Sequence, residues 1–98
     1  MDIIKIKSEL VSKAASQVAQ YPQYRNHFDN YVLVQIKRDI RLRKSGLAFT
    51  KGELTIARRG FEYPEHGPYT HIPFITAWSM LNGIDTSLRR SDVVYLEQ

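Results

Sequence analysis

The spacing of apolar residues changes at Gly46, and this change constrains the fold more than any other feature of the sequence. Before Gly46, apolar residues recur every three or four positions, which is the period of an amphipathic helix. After Gly46, short runs rich in β-branched and aromatic residues alternate with turn residues, as in strands. With 98 residues there is room for one core. We therefore predict a single α+β domain over residues 1–98, with a helical half (1–45) and a β-barrel-like half (46–98).

Two helices are predicted in the first half, packed on a small, strongly bent antiparallel sheet. The first runs from Asp2 to about Gln20 and is ended by the pair Tyr21–Pro22, because proline disfavours helical geometry at the residue before it. The second runs from Pro22 to Lys44, with Gly46 as its C-cap. Residues 31–36 have the composition of a strand, but the apolar spacing continues on both sides of them and favours the helix.

Five strands are predicted in the second half, over residues 47–49, 54–57, 73–80, 84–87 and 93–96. Asn82 and Gly83 are typical of a hairpin turn, and residues 88–92 of a short 3₁₀ turn. Alternation along residues 73–80 places Trp78 on the same face as Phe74. We expect Trp78 to lie in the core, with the floor of a binding groove as the alternative.

From Leu47 onward the order of features resembles the Src-homology-three-like small barrels. In that family a strand and a Phe-x-x-Gly-acidic turn lead to an apolar strand, a variable loop, a Trp-containing strand, a hairpin, a 3₁₀ turn and a final strand. Residues 49–53 (Phe-Thr-Lys-Gly-Glu) match the turn, and Trp78 lies in the matching strand. Leu88 or Arg89 stands where peptide-binding members have proline, so recognition of proline-rich peptides is not carried over. The resemblance implies a binding module.

Composition excludes several classes of site. The chain has no cysteine, which rules out disulfides, thiol nucleophiles and cysteine-ligated metals. No nucleophile elbow or glycine-rich phosphate loop is present, so we expect neither an enzyme nor a cofactor. The N-terminus lacks the apolar core of a signal peptide, and no stretch approaches the length of a membrane span. We expect a cytoplasmic protein that does not bind membranes.

Positive charge is concentrated in the first half. Residues 1–45 carry nine basic and four acidic residues (+5), whereas residues 46–98 carry five and six (−1). The densest run consists of Lys37, Arg38, Arg41, Arg43 and Lys44. On the predicted helix these side chains either interact with the helix dipole or bind successive phosphates of nucleic acid without sequence preference.

The predicted loop at residues 58–72 holds the remaining candidates. Tyr63 and Tyr69, together with Trp78, are the predicted contacts for a protein partner, because tyrosine and tryptophan offer large contact areas. His66 and His71 are candidate metal ligands, although their spacing matches no established metal motif. The leading hypothesis is a non-enzymatic protein-interaction module; nucleic-acid binding and metal-dependent catalysis are the alternatives.

Overall fold

One helix and seven strands make up the described part of the chain, which comprises residues 1–60 and 73–97 of this computed structural model. The helix is α1 (Ile3–Gln17), and a 3₁₀ turn follows at Pro22–Tyr24. A second 3₁₀ turn spans Arg90–Asp92. The strands are β1 (Tyr31–Ile36), β2 (Ile40–Leu42), β3 (Gly46–Phe49), β4 (Leu54–Arg58), β5 (Phe74–Ser79), β6 (Ile84–Arg89) and β7 (Val93–Tyr95).

Five strands form one strongly curled antiparallel sheet, in the order β6-β5-β4-β1-β7. β1 lies inside this sheet and pairs with β4 on one side and with β7 on the other. β2 and β3 form a separate hairpin between β1 and β4. The fold is therefore α+β, as predicted. The prediction of two helices was wrong, because the structure has one.

The predicted second helix over residues 22–44 is replaced by a 3₁₀ turn, a series of turns and two strands. Successive turns carry the chain from Tyr21 to β1, closed by backbone bonds such as His27 N–H to Tyr24 O and Tyr31 N–H to Phe28 O. Residues 31–36 form a strand in which all side chains are buried except Gln35, which is partly buried. Both faces of the strand are therefore apolar, so the spacing of its residues does not distinguish a strand from a helix. Their β propensity was the better guide.

The predicted strands of the second half are confirmed, with small shifts at their ends. The hairpin turn at Asn82 and Gly83 is confirmed as well. Gly83 adopts a positive φ of 66°, and its N–H donates to Ser79 O at 2.7 Å. Gly46, predicted as a helix C-cap, adopts a φ of 76° at the start of β3, a conformation that glycine accepts without steric cost.

Alternation along the strands divides the core into two clusters. The inner cluster lies within the curl of the sheet and contains Val34, Ile36, Phe49, Ile75 and Val93, among others. The outer cluster joins α1 to the opposite face and consists of Ala14, Val18, Phe28, Tyr31, Ile56 and Trp78. Trp78 is 2% exposed, which confirms its predicted place in the core. Within the described residues, no helix has the length and hydrophobicity to cross a membrane.

Candidate functional site

The predicted basic residues lie on a hairpin rather than on a helix. Lys37 and Arg38 follow β1, Arg41 lies in β2, and Arg43 and Lys44 form the turn between β2 and β3. All five side chains are exposed. We call residues 37–53 the basic arm. The helical face on which these cations were predicted to align does not exist, but the hairpin keeps them on one continuous element.

Backbone hydrogen bonds fix the base of the basic arm to the sheet. Ile36 N–H donates to Glu53 O at 2.9 Å, and Gly52 N–H donates to Ile36 O at 2.8 Å. Lys37 N–H donates to Asp92 O at 2.8 Å, which ties the same point to the second 3₁₀ turn. Buried Ile40, Ala48 and Phe49 insert the arm into the inner cluster. The base of the arm is therefore fixed to the sheet, while its cations face solvent.

The carboxylates in and beside the basic arm are already engaged by the protein itself. Asp39 Oδ1 accepts the backbone N–H of Lys51 at 2.7 Å, and Glu53 Oε1 accepts the backbone N–H of Thr50. Asp92 binds Arg38 through two contacts, Nε to Oδ1 at 2.8 Å and Nη2 to Oδ2 at 3.2 Å. These groups hold the arm in shape. Within the described residues, no ion pair joins the remaining arm cations to a carboxylate.

The basic arm accounts for the whole net charge of the chain. Its six cations and two carboxylates give +4, which equals the formal net charge of the whole chain. The other 81 residues carry eight basic and eight acidic groups and sum to zero. The arm therefore dominates the protein's long-range electrostatic attraction for anions.

A second surface feature opens at the end of α1. A cleft of about 480 Å³ is bounded by the helix end, the first 3₁₀ turn and the β5–β6 turn. We call it the aromatic cleft. Its lining is Gln17, Val18, Tyr21, Gln23, Tyr24, Trp78, Gly83, Ile84 and Asp85.

Trp78 is the predicted partner-binding residue that contributes to this cleft, although nearly all of its surface is buried. Its indole Nε1–H donates to Gln17 Oε1 at 2.7 Å, and Gln17 Nε2 donates to Met80 O at 2.9 Å. Gln17 thereby orients the ring from the helix end. Tyr63 and Tyr69 lie outside the described residues, so their joint role with Trp78 stays a prediction.

A hydrogen-bonded group of three side chains lies beside the aromatic cleft. Tyr31 Oη–H donates to Asp85 Oδ1 at 2.6 Å, and His27 Nε2 contacts Asp85 Oδ2 at 2.6 Å. His27 Nε2 also lies 3.2 Å from Tyr31 Oη. The contacts join the turn before β1 to the start of β6, which stabilises one wall of the cleft.

The candidate metal ligands His66 and His71 also fall outside the described residues. Within residues 1–60 and 73–97, no group of three or more histidine, aspartate or glutamate side chains is positioned to hold a metal ion. Metal-dependent catalysis through the loop stays a prediction.

Sequence reasoning missed the aromatic cleft, because its walls come from separate parts of the chain. Gln17 and Tyr21 are more than sixty positions from Asp85. The aromatic residues Tyr24, Phe28 and Tyr31, spaced by three or four positions, were the available signal, but they were assigned to the apolar face of the predicted second helix. Their rings instead form edge-to-face contacts, such as Phe28 with Trp78 at 5.0 Å between centroids.

No protein-family model, curated protein or solved structure matches this chain.

Proposed function

We propose that the protein is a non-enzymatic binding domain that holds nucleic acid through the phosphates, by means of the basic arm. The observation that carries this proposal is the concentration of the entire net charge on residues 37–53, where the carboxylates are occupied by internal contacts. Phosphate contacts supply sequence-independent affinity. A two-stranded ribbon is also narrow enough to follow the major groove of a duplex.

The order of elements supports a binding-module architecture of the Src-homology-three-like type. From β3 onward the chain passes through the turn at residues 50–53, β4, the Trp78 strand β5, the hairpin turn, β6, a 3₁₀ turn and β7. This is the order on which the resemblance rests. Two further strands, β1 and β2, precede β3, where the sequence had predicted the second helix.

The test is a fluorescence-anisotropy titration of a labelled random-sequence DNA duplex at two salt concentrations. If the four cations Lys37, Arg41, Arg43 and Lys44 each contact a phosphate, affinity for the duplex falls about 150-fold between about 50 and 200 mM salt. The variant Arg43→Glu/Lys44→Glu places negative charge at the tip of the arm. It should abolish binding, because repulsion replaces two attractive contacts.

The matched control is Lys5→Glu/Lys13→Glu, which changes the net charge by the same amount on the exposed surface of α1. It should bind nearly as well as the wild type. Equal loss in both variants would mean that overall charge, not the arm, attracts the duplex. Equal affinity for poly-glutamate and for DNA would contradict the proposal and indicate an acidic protein as the ligand.

A further inference from the structure

We propose that the aromatic cleft is a second binding site, which accepts a basic side chain, arginine or lysine, from a partner protein. This site is independent of the basic arm: it has the opposite charge preference and shares no residue with residues 37–53. Three features of its lining carry the inference.

The first feature is the single charge in the cleft. Asp85 is the one aspartate or glutamate among the nine lining residues, and none of the nine is lysine or arginine. Its side chain is 25% exposed. Each of its oxygens already accepts or contacts one neighbour, Tyr31 or His27, but a carboxylate oxygen has two acceptor positions. Asp85 therefore retains capacity to accept from a guanidinium or ammonium group.

The second feature is the end of α1. Gln17 is the last residue of the helix, Val18 is its C-cap, and both line the cleft. A helix C-terminus carries a partial negative charge of about half an elementary charge, which basic residues in the last turn commonly offset. The last turn of α1 has no basic residue. The helix end and Asp85 therefore favour the same sign of ligand.

The third feature is the aromatic wall. Tyr21 is 46% exposed, and its ring meets that of Tyr24 edge to face at 6.1 Å between centroids. Tyrosine rings attract cations through their faces, and arginine in particular stacks on them. Exposed Ile84 adds an apolar surface for the aliphatic part of the incoming side chain. Arginine and lysine both combine such an aliphatic stem with a cationic end.

The experiment uses the full chain labelled with ¹⁵N and three blocked pentapeptides, acetyl-Ala-Ala-X-Ala-Ala-amide, with X as arginine, lysine or glutamate. We expect the arginine or lysine peptide to shift the amide signals of Tyr21, Gly83 and Asp85 in a saturable way. The glutamate peptide should leave them in place. A lack of saturable shifts with both basic peptides at up to about 5 mM, beyond the millimolar affinity of a weak contact, would overturn the proposal.

Two variants locate the binding. Asp85→Asn preserves an oxygen for Tyr31 and removes the charge. It should weaken binding of the basic peptide at least about tenfold, the effect of losing one hydrogen bond to a charged group. Tyr21→Leu, at an exposed position, should also weaken binding of the basic peptide without altering the fold. The control Glu9→Gln removes one negative charge from the exposed face of α1 and should leave binding unchanged. Equal affinity in Asp85→Asn and wild type would overturn the assignment.

Varying the protein concentration without peptide tests whether the bound side chain comes from a partner protein or from a second copy of this chain. If the cleft signals shift with concentration alone, and Arg43→Glu/Lys44→Glu removes that shift, the basic side chain comes from a second copy of this chain rather than from a partner. That result would overturn the proposed partner. Signals that stay constant without peptide support it.

Discussion

Arg38 and Asp92 form a two-contact ion pair between the start of the basic arm and the second 3₁₀ turn. The two side chains differ in environment: that of Asp92 is 10% exposed, whereas that of Arg38 is 59% exposed. Lys37 N–H donates to Asp92 O from the same side. Asp92 is therefore the point at which the arm is joined to the strand that closes the sheet.

Arg38→Ala should destabilise the protein by about 1 to 2 kcal/mol, because it leaves a nearly buried carboxylate without its partner while solvent offsets part of the loss. Arg38→Lys should cost less, since one contact is retained. Chemical denaturation measures both. Arg41→Ala, at an exposed position in β2, is the control and should change stability by less than about 0.5 kcal/mol. An equal loss in Arg38→Ala and Arg41→Ala would show that the ion pair contributes nothing.

Tyr31→Phe should destabilise the protein by about 1 kcal/mol, because Asp85 loses the hydroxyl that donates to it. A double-mutant cycle with Asp85→Ala measures the coupling between the two side chains, which should be about 0.5 to 1.5 kcal/mol. Tyr24→Phe is the comparison, since its hydroxyl has no hydrogen bond to the described residues. Additive effects of Tyr31→Phe and Asp85→Ala would contradict the observed contact.

Glu97 should make stability depend on pH. Desolvation raises the pKa of Glu97, but hydrogen bonds from Lys7 Nζ at 3.0 Å and from Leu33 N–H at 2.7 Å, with the charges of Lys7 and Arg59, outweigh it. The pKa of Glu97 in the folded protein therefore lies below its ordinary value of 4.5. A lowered pKa stabilises the folded state above the ordinary value, and this stabilisation is lost as pH falls through the folded value.

Glu97→Gln should accordingly be less stable than the wild type at neutral pH, and the difference should shrink below pH 4.5. Unfolding free energies from urea titrations across this range provide the measurement. Lys7→Met removes one cause of the lowered pKa, so in that background Glu97→Gln should have a smaller effect at neutral pH. A stability difference that is constant with pH would refute the assignment.

The parts of the fold that the sequence predicted correctly are those in which one periodicity applies. α1 has one buried face, and β5 alternates between the two clusters, with Ile75 and Ala77 inside and Trp78 outside. Residues 22–44 were mispredicted because β1 is buried on both faces. A run that is apolar at five of six positions carries no usable period, so the prediction depended on neighbouring residues that belong to turns and to the arm.

The sequence predicted which residues carry the charge of the candidate site, but not how the structure arranges them. The charges of Lys37 to Lys44 indicated an anion-binding element, since clustered cations are visible in sequence whatever their backbone conformation. Their arrangement required the pairing of Arg41 with Leu47, which depends on the turn at residues 43–45. The aromatic cleft required contacts across more than sixty positions, and local patterns do not specify such contacts.

The interior position of β1 also bears on the order in which the protein forms during synthesis. β1 needs β4 on one edge and β7 on the other, and Val93 pairs with Ile36 across 57 positions. Until residues 93–95 have left the ribosome, one edge of β1 stays open to solvent and to other chains. Contacts of such long sequence separation also slow folding. The nascent chain is thus expected to pass through an interval in which this edge of β1 is unpaired and benefits from a chaperone.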